Sequence, residues 1–321
     1  MEAVMQKVVV LGAGGALGTL VGGELDRRAI PHRLVGRDAA ALERRLGPRP
    51  GREFAGADVE DVQAVRRAVR GADSVLYLVG VPYDRFELHP RYMRTTLDAA
   101  LAEGVGHLTL VGTVYPFGRP QTPLVSELHP RTPNTYKGKM RLMQEELVLE
   151  AHRSGRIATA IVRLPDFYGP FVEKSFPYGV LCAALAGKTA DVVGPIDVPH
   201  EFVYLPDAAP VIADLLGRED AFGSAYNLGG AGKITMREFA RLAFAAAGKE
   251  PKLRVASKTM LRLLGVVNPM MRELVEMHYL WTDPVFLDDA LLQSVIGPIA
   301  KTPYETGIRA SLEAMREKVP A

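Results

Sequence analysis

Val8-Val9-Val10-Leu11-Gly12-Ala13-Gly14-Gly15-Ala16-Leu17-Gly18 is the stretch that decides the fold. Four apolar residues, three of them β-branched, read as a buried strand, and the glycines then let the backbone turn sharply into a helix. Leu17, Leu20, Val21 and Leu25 continue at helical spacing, Arg27 and Arg28 suit a helix C-terminus, and a second strand, His32 to Val35, follows Pro31. The unit is therefore strand, glycine turn, helix, strand. With no side chains at Gly12 and Gly15 the main chain can approach a diphosphate closely, and the helix N-terminus offers it unpaired N–H donors. Gly12, Ala13, Gly14, Gly15, Ala16 and Leu17 form the expected cradle, and Gly18 lets helix and strand pack closely. The apolar run behind the single Lys7 reads as mature structure rather than a secretory signal, because its glycines sit at turn spacing and no basic segment precedes it.

Working outward, Gly36-Arg37-Asp38 stands where such a unit discriminates two dinucleotides. An arginine accommodates a 2′-phosphate, whereas an acidic residue holds a ribose 2′-hydroxyl. Arg37 comes first and points to NADP; Asp38 keeps NAD open. Asp58 is expected to cap a helix carrying Val62, Val65 and Val69, and is also a candidate for contact with the adenine. Ser74 to Gly80 reads as a fourth strand, ending on a glycine near the cofactor, and His107 to Val111 as a fifth. Strands alternate with helices throughout, so the fold class is α/β with a doubly wound parallel sheet of Rossmann type. Just past the fifth strand, Thr113 is a candidate hydroxyl for polarising a carbonyl, since ligands bind at the carboxyl edge of open sheets. A Pro-rich loop, a helix from about Tyr136 to His152 and a strand from Ile157 to Arg163 follow. Residues 1–170 are read as the dinucleotide-binding domain, and 171–321 as mainly a substrate lobe with segments returning to the first.

Bulk properties narrow the classes. Hydrophobic residues at 48%, charged residues at 24% and a net charge of +2 describe an ordinary globular chain, with no basic run interleaved with aromatics that would suit nucleic acid. No segment reaches the apolar length of a membrane span, and a membrane partner is not expected. The single Cys182 forbids an intrachain disulfide and fits a reducing cytosol. The seven histidines lack paired ligand spacing, so no metal site is expected. Thr235-Met236-Arg237-Glu238 reads as a capping box, and Met260 to Tyr279, rich in Leu, Val and Met, is expected by default to finish the core, with a cleft cover or a homodimer interface as alternatives.

The glycine turn, Asp58-Val59, the Thr113 loop ending in Phe117-Gly118, Arg163-Leu164-Pro165-Asp166-Phe167-Tyr168-Gly169-Pro170, Glu201 to Ala208 and Ala225 to Gly230 together resemble the extended short-chain dehydrogenase/reductases, among them NAD(P)-dependent nucleotide-sugar epimerases and dehydratases. The resemblance spans about residues 5 to 310. It implies a bound nicotinamide dinucleotide, a small-molecule substrate such as a nucleotide sugar, Val59 and Leu164 beside the cofactor, and Tyr115 and Asp166 at the substrate.

That family uses a tyrosine followed four residues later by a lysine, and none of the eleven tyrosines here has a lysine at that position. Two registers remain. Tyr136 is the acid with Met140 in place of the lysine, or Lys137 replaces the tyrosine and Arg141 the lysine. Lys137, Arg141 and Glu145 share one helical face, while Met140, Met143, Leu147 and Ala151 form a stripe expected to be core, which favours the second. Burial of Lys137 beside a second cation, Arg141, would suit it to general acid catalysis. The two functional readings are an NAD(P)-dependent oxidoreductase or epimerase/dehydratase-like enzyme with a non-standard proton donor, and a catalytically silent NADP(H)-responsive binding protein.

Overall fold

The computed structural model describes residues 7–216 and 218–317, without the side chain of residue 270. Seven strands form one parallel sheet: β1 Val8–Leu11, β2 His32–Gly36, β3 Arg52–Gly56, β4 Ser74–Tyr77, β5 His107–Thr113, β6 Ala158–Leu164 and, later in the chain, β10 Ala225–Asn227. Their order is β10-β6-β5-β4-β1-β2-β3, so successive strands are laid down outward in opposite directions from the point between β1 and β4. That crevice is where ligands bind in such sheets. β1 is buried throughout, as its unbroken apolar run requires.

Helices cover both faces. α1 Ala16–Arg27, α2 Ala39–Leu46, α3 Val62–Val69, α4 Leu88–Ala102 and α5 Tyr136–Arg153 belong to the first half. One face of the sheet packs under α1 and a later helix, α7 Leu205–Leu216; the other packs under α3, α4 and α5. A second lobe is built from β7 Asp166–Tyr168, α6 Tyr178–Ala186, β8 Ala190–Val193, β9 Pro199–Tyr204, β11 Lys233–Thr235, α8 Met236–Ala246 and β12 Leu253–Ala256. It has its own core around Phe202, Phe239 and Phe244, closed by α13 Tyr304–Glu317. Between β12 and α13 lie α9 Lys258–Leu264, α10 Pro269–Met277, α11 Tyr279–Thr282 and α12 Ala290–Ile296. No helix among the described residues is long and apolar enough to cross a membrane.

Four local expectations are corrected. Asp61, not Asp58, caps α3, accepting from the Gln63 N–H at 2.8 Å; Asp58 instead turns back on the Glu60 N–H at 3.0 Å. β4 stops at Tyr77, leaving Gly80 exposed in the loop beyond. Thr235 caps α8 at the Glu238 N–H, but the Glu238 carboxylate pairs with Arg241 rather than reaching back. The fourth is on α5, where Met143 is 51% exposed and the buried face is Lys137, Gly138, Arg141, Gln144, Glu145, Val148 and Ala151. Charge is buried there because each charged group finds hydrogen-bond partners: Glu145 takes a two-pronged ion pair from Arg163 of β6 at 2.9 and 2.8 Å.

Candidate functional site

The glycine turn forms as its composition demands. Gly12 has φ +87°, and a Cβ there would stand 2.8 Å from the Leu78 carbonyl; a Cβ on Gly18 would stand 2.6 Å from the Ala13 Cα. Both positions are closed to side chains by the fold. Gly15 differs, because it is exposed, extended, and meets nothing nearer than the Gly12 carbonyl at 3.6 Å. It is the N-cap of α1 and brings no side-chain acceptor to the donors of the first turn, while the Arg45 guanidinium donates to the neighbouring Gly14 carbonyl at 2.9 Å. Gly14 is exposed beside it, Ala13 is buried beneath, and Ala16 and Leu17 are half-buried in the first turn. Gly80 faces the crevice loop with nothing within 4 Å of its would-be Cβ. Bare glycines before an uncapped helix start fit a dinucleotide diphosphate.

At the end of β2, Arg37 is exposed and has no ion-pair partner among the described residues. Asp38 caps α2 through the Ala41 N–H at 2.9 Å, which engages one of its carboxylate oxygens. Asp58 is exposed on the same rim, at the turn that follows β3, with Val59 half-buried next to it. Leu164 ends β6 in register with Thr113, and is buried.

The opposite side of the crevice is organised by α5. Thr135 caps it at the Gly138 N–H, 3.0 Å away, and Gly138 lets it press on the turn Tyr115–Phe117, since a Cβ would stand 2.8 Å from the Tyr115 carbonyl. Tyr136 points outward, 52% exposed; Lys137 points inward, 1% exposed. Lys137 is held from the far end of the chain. Glu276 of α10 accepts its backbone N–H at 3.0 Å and its Nζ at 2.6 Å, and Glu273 accepts the Nζ as well. The ammonium also lies over the rings of Tyr83 and Phe86, 5.0 and 5.5 Å from their centroids. Arg141 is not its neighbour in charge. Its guanidinium donates to His89 Nδ1 at 3.1 Å and to the Val111 carbonyl at 3.3 Å, and burial with that cation alongside drives the His89 ring down to about 2, so the ring is neutral. Like-charge repulsion between Lys137 and Arg141, expected from the sequence, is replaced by two carboxylates.

Exchanging Lys137 for Met leaves Glu273 and Glu276 facing each other without a cation. Each is about a quarter exposed. The expected loss is therefore about 2 kcal/mol rather than the 3–5 of a fully buried pair. Chemical denaturation of Lys137→Met and Lys137→Arg checks this, the arginine variant recovering most of the loss.

Aromatic rings wall this end. Phe86 stacks on Tyr115 with centroids 6.2 Å apart and meets Tyr83 edge-on at 5.5 Å; Tyr279 joins the same cluster. Burial raises the phenols of Tyr83, Tyr115 and Tyr279 well above their ordinary range, so all three stay protonated. Asp166, at the start of β7, lies close enough to influence all three, and burial pushes its carboxyl up to about 7. Thr113 ends β5 beneath this wall, half-buried, with its hydroxyl oxygen 3.3 Å from the Tyr115 N–H.

The sequence reading missed Glu273 and Glu276. Their signal was present as two carboxylates at i, i+3 on the short amphipathic run of α10, but nothing in it names a lysine more than 130 residues earlier. Nor does Met260 to Tyr279 simply finish the core. Met277, Tyr279, Leu280 and Trp281 do so, packing with Phe86, Tyr115 and Phe117, while α10 covers the start of α5 and much of α9 is exposed.

The NAD-dependent epimerase/dehydratase family model matches residues 8–229. A dTDP-glucose 4,6-dehydratase of Streptomyces antibioticus is 27% identical over 210 residues, 62% of each chain. A dTDP-6-deoxy-L-talose 4-dehydrogenase (NAD(P)(+)) of Kitasatospora kifunensis is 26% identical over 259 residues, 75% of this chain and 79% of its own. The similarity thus spans less than two thirds of the first of these relatives. Among solved structures, a dTDP-glucose 4,6-dehydratase from Streptomyces venezuelae with NAD and TYD bound gives a TM-score of 0.82 at 19% identity, over 98% of both chains. The UDP-glucuronic acid 4-epimerase from Bacillus cereus in complex with NAD gives 0.79 at 16%, over 97% of this chain and 99% of that one. At those identities the superpositions speak for the fold, and the family model, covering more than half the sequence, for descent: the chain belongs to the NAD-dependent epimerase/dehydratase family.

Proposed function

We propose that this protein is an NADP(H)-preferring enzyme that oxidises or reduces a carbinol or carbonyl carbon of a nucleotide-linked sugar. The observation that carries the proposal is the meeting of an open glycine cradle with a walled acid site on one rim of the sheet. Gly12 to Leu17 would hold the diphosphate and Arg37 the 2′-phosphate, Asp38 being engaged as a helix cap. The dinucleotide, when bound, supplies hydride donation and acceptance at its nicotinamide ring. NAD remains the cofactor named by the family and recorded with the solved relatives. Arg37→Ala separates the two. NADPH affinity should fall about tenfold, the worth of a charge-assisted hydrogen bond, with NADH affinity unchanged. Fluorescence titration checks it; equal losses for both nucleotides would contradict the 2′-phosphate role, and no loss for either would remove Arg37 from the site.

Proton handling falls to Asp166 rather than Lys137. A buried amine saturated by two carboxylates and two ring faces has no direction left from which to touch a substrate. Asp166 keeps its proton to about neutral pH because burial disfavours the carboxylate, and it stands at the start of β7, directly after β6 ends at the carboxyl edge of the sheet, where a substrate oxygen would be received. Thr113 would donate a hydrogen bond to the same oxygen, Tyr115 and the other phenols would exclude water, and Lys137 would fix α10 and the aromatic wall as a positioning residue. Arg141 acts from behind, on His89 and the end of β5. Tyr136, facing out, takes no part.

The enclosure of Lys137 also favours the second reading, a cofactor-responsive binding protein without turnover. One experiment decides. Incubation with NADPH or NADP and a panel of dTDP- and UDP-sugars, followed by nicotinamide absorbance and chromatography of the sugars, should reveal turnover that Asp166→Asn abolishes. Tight NADP(H) binding with every sugar returned unchanged would establish the silent reading instead.

A further inference from the structure

From Ser257 to Arg272 the chain contains no Asp or Glu, three basic residues and a run of large apolar ones. In the fold this segment is a helical hairpin, α9 and the start of α10, and its apolar residues do not turn inward. Leu261 is buried, whereas Leu263, Val266 and Val267 are 70%, 78% and 83% exposed, with Met260 and Leu264 at 41% and 40%. Monomeric surfaces carry scattered apolar residues, but rarely so many consecutive ones at such exposure.

The exposure comes from an ordered turn. The N–H groups of Gly265, Val266, Val267 and Asn268 all donate back into α9, to Leu261, Leu263, Leu264 and Leu264 respectively, and the Gly265 Cα packs so closely on Arg272 that a Cβ would stand 3.3 Å from its Cα. Backbone satisfaction of this kind holds the Val-Val tip outward. Lys258, Arg262 and Arg272 flank it, and none has an ion-pair partner among the described residues; Glu273 and Glu276, the next acidic groups along the chain, are turned away onto Lys137. An apolar tip ringed by free cations complements one kind of surface, a bilayer whose headgroups are anionic and whose acyl boundary accepts the valines and leucines.

We propose that the 257–272 hairpin is a docking tip for anionic lipid membranes. Average composition gave no hint of it, because the neutral remainder of the chain dilutes one local feature. The tip leads directly into α10, whose glutamates grip Lys137, so docking at one end of the hairpin is mechanically continuous with the wall of the candidate site at the other.

Co-sedimentation of the full chain with vesicles tests this, using phosphatidylcholine alone and phosphatidylcholine mixed with phosphatidylglycerol. The chain should pellet with the anionic vesicles, and raised salt should weaken that binding. Val266→Asp with Val267→Asp should cut the partition coefficient about tenfold or more, and Arg262→Glu with Lys258→Glu should abolish the preference for anionic lipid. All four positions are solvent-facing or half-buried at the tip, and unchanged melting and dinucleotide binding would show the variants folded. Wild-type protein that stays in the supernatant with anionic vesicles overturns the proposal, as does Asp-variant protein that pellets equally well. Self-association lost in the Asp variant, without vesicle binding, would assign the tip to a second copy of the chain and likewise overturn it.

Discussion

Gly15→Asp should abolish dinucleotide binding while leaving the protein as stable as its parent. Gly15 is extended, with φ −78° and ψ 168°, and its would-be Cβ meets no atom closer than 3.6 Å, so a side chain fits without strain. Aspartate is moreover a favoured N-cap, and its carboxylate would accept from the first turn of α1, although against glycine that is worth only about a few tenths of a kcal/mol. That same carboxylate would occupy the anion cradle. One negative charge about 4 Å from a phosphate costs about 4 kcal/mol at the effective dielectric of a protein surface, so affinity should fall at least about a hundredfold. Thermal melts and a fluorescence titration of NADPH read the two halves of the result. Unchanged affinity would mean that the diphosphate lies elsewhere. The neighbouring Gly12 and Gly18 cannot make this distinction, because a side chain at either collides with backbone.

Asp166→Asn should likewise separate stability from activity, in the opposite sense to an ordinary lesion. The unfolded chain releases this proton near the usual 3.8, whereas the folded chain keeps it to about 7. Between those values the native state holds the extra proton, so its stability falls as pH rises through that window. An amide carries no such penalty. The variant should match the parent near pH 4 and exceed it above about pH 8, by on the order of 2 kcal/mol once partial exposure of the residue is allowed for. Turnover should nevertheless drop about a hundredfold or more, the usual contribution of a positioned general acid. In the parent, reduction of a carbonyl should fade as pH rises past about 7. A pH series of denaturant melts beside a pH–rate profile tests both, and parallel stability curves for parent and variant would remove the argument.

The strand, glycine turn and helix that open the sheet were legible because their physics is local. A β-branched run, glycines at turn spacing and helical periodicity from Leu17 to Leu25 leave one arrangement, and the i, i+4 recurrence of Lys137, Arg141 and Glu145 marked the inward face of α5 although burying charge is costly. Asp58 misled because Asp61 is equally suited to a cap and stands next to the first helical residue. Met143 misled because an apolar residue at helical spacing is read as core, whereas α5 buries Lys137 and Glu145 in ion pairs with Glu273, Glu276 and Arg163, and Arg141 on the neutral His89 ring and the Val111 carbonyl. No local pattern brings α10 onto Lys137 or withdraws Asp166 from water; those contacts are made by the fold. Exposure at Val266 and Val267 was hidden for the converse reason, since hydropathy alone says core.

A diphosphate seated at the N-terminus of α1 underlies every catalytic and cofactor-binding role proposed for this chain. Calorimetric titration of the parent and of Gly15→Asp with NADPH and NADH addresses it most directly. Saturable one-to-one binding to the parent, tighter for NADPH and lost in the variant, is the predicted result; a parent that takes up neither nucleotide, or a variant that binds both as well as the parent, would contradict it.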